Sequence, residues 1–123
     1  MPGPTLIRPE RIETLRCADP RPGWRGCEPA VIALGQWADG RWSYGVSAHC
    51  AGIGRGRGVS EWRTGPPMAR FASRVDALDA AVIELIEVVR SWADLATAAE
   101  LTRIRDWAVS QRTAQGDLFG MAA

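Results

Sequence analysis

Four side chains in the first half of the chain belong to types that hold metal ions or act as nucleophiles: Cys17, Cys27, His49 and Cys50. By count they make a zinc set, and a zinc-stabilised small module is one reading of them. Structural zinc sites, however, usually place two thiolates two to four residues apart, so that both reach one tetrahedral ion. Here the only close pair is His49-Cys50, and neighbours on a strand point to opposite faces. The expectation is therefore no metal and no cofactor, with His49 at a strand end and the thiols acting as small apolar groups. Catalytic sets are equally absent from the pattern. The single histidine has no Ser-His-Asp arrangement to join, and Glu84 and Glu87 share a helical face that reads as solvated, so the chain is expected to be non-enzymatic.

The basic residues offer a different chemistry. All fifteen are arginine, whose planar fork suits bidentate contact with phosphate or carboxylate. Residues 41–74 hold six of them against one acid, Glu61, while residues 75–100 hold six acids against Arg90. This split predicts a basic sheet side and an acidic helix side. Arg41, Arg55, Arg57, Arg63 and Arg70 are the candidate nucleic-acid contacts. The Gly-rich stretch 51–58 reads as a loop able to wrap phosphate, although it lacks the Gly-Lys-Ser/Thr ending of a P-loop. Among six tryptophans, Trp24 and Trp62 lie near arginines and are the ones placed to stack on bases. Trp37, Trp42, Trp92 and Trp107 read as packing residues. The acidic helix face supports an alternative, an inhibitor of the counter-defence type that blocks a basic partner.

The C-terminal residues Gln115-Gly116-Asp117-Leu118-Phe119 set two large apolar side chains on a short tail. The spacing Gln-x-Asp-Leu-Phe resembles the peptide by which many bacterial replication and repair proteins dock on the ring-shaped DNA sliding clamp. The resemblance implies that Gln115 hydrogen-bonds at one subsite and that Leu118 and Phe119, next to Asp117, fill a hydrophobic pocket. Gly116 departs from the family pattern, where an apolar residue is usual. Three strands presenting arginine, braced by a helix, also resemble the sheet-reading domains of some integrases and plant transcription factors. Together these features predict a DNA-associated accessory protein of a phage or plasmid, with the sliding clamp as partner and nucleic acid as a second one.

These residues need a frame to hold them. A chain of 123 residues is one domain's worth. Glu84 and Glu87 interrupt the best apolar run, so no membrane span is expected. The first residues lack the layout of an export signal, and three cysteines are an odd number, so a cytoplasmic protein without a disulfide framework is expected. Six prolines in residues 1–29 predict an irregular arm, with a short helix from Pro9 through Arg16. Asp39-Gly40 predicts a two-residue hairpin turn that pairs Trp37 with Trp42. That register puts Trp42, Tyr44, Val46 and Ala48 on the core side with Val31, Ala33 and Trp37. A third strand is expected around Val59–Arg63.

Two helices follow. Ser73 and Asp76 are spaced as a capping box, and Val75, Leu78, Val82, Leu85, Ile86, Val89 and Trp92 recur at helical intervals behind them. Thr97 and Glu100 form a second box, opening a shorter helix to about Arg112 with Leu101, Ile104, Trp107 and Ala108 on its apolar side. Gly116 is the expected stop beyond it. The predicted architecture is α+β: a three-stranded antiparallel sheet packed on one long helix, then a shorter C-terminal helix and a free tail. Its units are an arm over 1–29, a domain over 30–113 and a peptide tail over 114–123.

Overall fold

Seventeen residues, Arg74–Arg90, form the first helix (α1), and they do so where the capping box and apolar spacing require. Ser73 is extended, and its side chain accepts from the Asp76 N–H, satisfying one of the donors a helix start leaves open. Ala77, Leu78, Ala81, Val82, Leu85 and Val89 form the buried stripe. The computed structural model describes the backbone of residues 6–23, 25–50, 53–62 and 67–122, and the side chains within those ranges except Trp62 and residues 113–122.

The strands are β1 (Leu6–Ile7), β2 (Arg11–Cys17), β3 (Ala30–Gln36), β4 (Trp42–Cys50), β5 (Ile53–Gly56) and β6 (Glu61–Trp62), and the second helix, α2, is Ala98–Ala122. The fold is α+β, but the sheet has four strands in the order β2-β3-β4-β5, all antiparallel, rather than three. The expected helix from Pro9 through Arg16 is replaced by β2. Ile12 and Thr14 are β-branched, and side chains alternate along this segment, with Leu15 and Cys17 turned inward while Ile12, Thr14 and Arg16 face the other way. The arm 1–29 is thus not purely irregular, since it supplies β1 and an edge strand of the sheet.

Two further expectations are corrected. The Gly-rich stretch is not wholly loop, for Ile53–Gly56 pairs with β4 as the other sheet edge. The predicted third strand shrinks to Glu61–Trp62, which leaves the sheet and pairs with Leu6–Ile7 in a separate two-stranded ribbon.

The hairpin forms, in a shifted register. Gln36, not Trp37, lies opposite Trp42. Gly40 adopts φ 85°, its N–H donates to the Trp37 carbonyl at 2.9 Å, and the Trp37 N–H donates to the Arg41 carbonyl at 2.9 Å. This is the geometry of a three-residue loop closed by a left-handed glycine. One residue of slip moves every β3 side chain to the opposite face. Ala30, Ile32 and Leu34, all fully buried, therefore share the core side with Val46 and Ala48.

Helix α1 covers that face, and α2 packs beside α1, adding Ile104 and Ala108 to the core. The helix expected to end near Arg112 is the longer of the two, its 25-residue backbone continuing through Gly116 to Ala122. Among the described residues no helix is long and apolar enough to cross a membrane.

The opposite face of the sheet is covered in part by chain rather than by helices. Pro9 and Val59 lie over Gly35, and the backbone of Arg57 and Gly58 lies directly on Gly45. A Cβ at Gly45 would stand 2.5 Å from the Gly58 carbonyl oxygen, closer than carbon tolerates, so the strap over this strand requires glycine there.

Candidate functional site

The arginines meant for nucleic acid are largely engaged within the domain. Arg70 is the most enclosed. Its Nη2 donates to Glu61 Oε1 at 2.8 Å, and its guanidinium carbon sits 3.7 Å from the centre of the Trp37 ring. Ser43, with no exposed surface, ties the cluster to the sheet. Its Oγ accepts from Trp37 Nε1 at 2.8 Å and from Arg70 Nη1 at 3.2 Å, and donates to the Ala69 carbonyl at 2.7 Å. The other Glu61 oxygen accepts from the Met68 N–H at 2.7 Å. That amide, and then Arg70, hold the Glu61 carboxyl below its ordinary value. The cluster clasps Glu61 and residues 68–70 onto the outer sheet face.

Arg57 bonds to Glu84 of α1 and lies 5.0 Å from the centre of the Tyr44 ring, while the Tyr44 hydroxyl donates to Glu84 at 3.1 Å. Burial raises the Tyr44 phenol above its usual range. Arg41 is exposed and paired with Asp39 at 2.8 Å. Arg55, on β5, is exposed and without an ion-pair partner among the described residues. Arg63 lies outside the described residues, as do Trp24 and the Trp62 side chain. A guanidinium that reads base edges needs its fork free, and three of the five candidates have theirs on a carboxylate of the same domain.

The acidic helix face is drawn down in the same way. Glu84 is taken by Arg57 and Tyr44, and Asp79 accepts from Arg112 of α2 at 2.9 Å. That face is therefore not simply solvated. Only Glu87, Asp76 and Asp94 among the nearby acids stay exposed.

Cys27, His49 and Cys50 line one cleft of about 620 Å³, between the end of the sheet and the start of α2. Cys17 and Cys50 are buried and Cys27 is exposed. Burial pushes both the Cys17 and the Cys50 thiol up. The His49 imidazole lies across the strand pair, over Gly54. No three His, Cys, Asp or Glu side chains among the described residues stand close enough together to share a metal ion.

The rest of the cleft was not legible as a site in the sequence. Arg21, Arg103, Asp19, Glu100 and the helix-capping Thr97 come from two separate segments, the loop after β2 and the start of α2. Asp19 is lowered to about 2, chiefly by its hydrogen bonds with Arg21. The Thr97–Glu100 box was the one available signal, and it marks only where the helix starts. Gln115, Asp117, Leu118 and Phe119 lie on the last turns of α2, where the backbone is helical and the side chains are outside the described residues.

No protein-family model matches this chain, and neither a curated protein nor a solved structure matches it.

Proposed function

We propose that this chain is a small non-catalytic recruitment module whose C-terminal residues dock on the bacterial DNA sliding clamp. The observation that carries the reading is the sequence Gln115-Gly116-Asp117-Leu118-Phe119 itself. Two features support it. The last described member of the hydrophobic core is Ala108, about two helical turns before Gln115. Gly116 and Gly120 sit in the final turns of α2, where each costs roughly 1 kcal/mol of helix stability relative to alanine. Those turns can open into an extended peptide at small cost, as docking into a surface pocket requires.

Nucleic-acid contact enters as a secondary, phosphate-level role centred on Arg55, since Arg41, Arg57 and Arg70 are held by Asp39, Glu84 and Glu61. The test is binding of the full chain to a purified bacterial clamp, measured by surface plasmon resonance. Leu118→Ala with Phe119→Ala should reduce affinity at least tenfold. Equal binding by wild type and this variant, or none by either, refutes the reading.

A further inference from the structure

The two edges of the sheet differ, since β5 has four residues and β2 has seven. In an antiparallel ladder each residue turns its N–H and C=O to one neighbour, alternating along the strand. Trp37 N–H donates to the Arg41 carbonyl and His49 N–H to the Pro29 carbonyl, each at 2.9 Å, so odd-numbered positions along β3 face β4. The even ones, Ala30, Ile32, Leu34 and Gln36, then face β2, where their partners are Cys17, Leu15, Glu13 and Arg11. It follows that Ile12, Thr14 and Arg16 direct their backbone groups outward from the sheet. This edge is open to solvent, Ile12 being 50 % exposed and Arg11, Glu13 and Thr14 exposed with it. A strand of this length with bare backbone groups is a template for another strand.

We propose that β2 is a self-association edge, occupied by β2 of a second copy of this chain in antiparallel register about a two-fold axis at Ile12. Charge selects both the occupant and the register. A two-fold axis normal to the sheet keeps every side chain on its own face and joins the two sheets into one. With the axis at Ile12, each Arg11 stands opposite the other copy's Glu13, and this contact occurs twice. Ile12 meets Ile12, so two half-exposed apolar groups cover one another, while Glu10 lies before the strand with its N–H turned inward to the Gln36 carbonyl at 2.9 Å. Moving the axis to Glu13 sets like charges face to face, which is unfavourable. Moving it to Thr14 leaves Arg11 opposite Cys17 and Glu13 opposite Leu15. Arg11-Ile12-Glu13 is thus complementary to its own reverse, which a foreign strand would match only by coincidence. The acid is already oriented, since Arg74 Nε donates to Glu13 Oε2 at 2.8 Å, and Arg11 has no ion-pair partner among the described residues.

Sedimentation velocity of the full chain over a micromolar concentration series tests this. The wild type should move from monomer to dimer. Ile12→Pro removes only an outward-facing N–H, as proline on an edge strand is tolerated there, and should stay monomeric with an unchanged far-UV circular dichroism spectrum. Arg11→Glu and Glu13→Arg should each lose the dimer, and their equimolar mixture should regain it, because every cross-strand pair is then opposite in charge. A wild type that stays monomeric throughout overturns the proposal. So does a folded Ile12→Pro that dimerises, or a mixture no more associated than its two components. Should Ile12→Pro fail to fold, the charge-swapped pair decides the matter.

Discussion

Replacing Ser43 by alanine should destabilise the domain more than removing any of its exposed ion pairs. The hydroxyl is fully buried and makes three contacts, with Trp37 Nε1 at 2.8 Å, Arg70 Nη1 at 3.2 Å and the Ala69 carbonyl at 2.7 Å. Arg70 keeps Glu61 when the hydroxyl goes. The indole N–H of the buried Trp37 then loses its partner, whereas Ala69 is exposed and its carbonyl can turn to water. A stranded buried donor costs about 1–3 kcal/mol, and relief from burying the hydroxyl returns part of it, so a net loss of about 1–2 kcal/mol is expected. Arg41→Ala, by contrast, breaks a pair whose side chains are 56 % and 47 % exposed, and should cost about 0–1 kcal/mol.

Urea denaturation followed by far-UV circular dichroism, at constant m-value, measures both variants. Trp37→Phe in the wild-type and Ser43→Ala backgrounds completes a double-mutant cycle, with a coupling of about 1 kcal/mol expected. A Ser43→Ala loss smaller than about 0.5 kcal/mol, or a cycle with no coupling, would refute the view that this serine fixes the clasp.

Two more outcomes follow from the same packing. Gly45→Ala drives a methyl group into the Gly58 carbonyl, so it should expel the strap and cost about 1–3 kcal/mol; limited proteolysis should then cut near residues 57–60 while the rest of the sheet persists. Glu61 and Glu13 are both held below the ordinary carboxylate value of 4.5, by the Met68 amide and Arg70 in one case and chiefly by Arg74 in the other. A depressed folded-state pKa gives stability that is complete above the unfolded value and is lost as pH falls through the lower folded one. Glu61→Gln should therefore be less stable than wild type at neutral pH and converge on it as acid is added below about pH 4.5, which urea melts across a pH series would show.

Where the sequence carried redundant signals, the structure was legible in advance. Helix α1 had a cap, a wide apolar stripe and no competing pattern, and it lies where expected. The turn at Asp39-Gly40 was also visible, but the same dipeptide serves a two-residue loop and a three-residue loop closed by a left-handed glycine. The choice between them reverses the face of β3, and nothing local decides it. Packing does, because only the observed register puts Ile32 and Leu34 under α1. Strand β2 was hidden by Pro9, which reads as a helix start until its ring is seen resting on Gly35. The arginine clusters misled for a similar reason. Composition along the chain separates Arg57 from Glu84 and Arg70 from Trp37, and the fold brings each pair together.

The ribbon that joins Leu6–Ile7 to Glu61–Trp62 has a bearing on how the chain assembles. Two-residue strands have no independent stability, and closing so long a loop is entropically costly. The ribbon therefore has nothing to rest on until β3 and β4 are paired and Val59 and Pro9 can settle on Gly35. Leu6–Ile7 leaves the ribosome well before Glu61–Trp62 does, so during synthesis the apolar Leu6 and Ile7 wait in solvent while the strands between them are made.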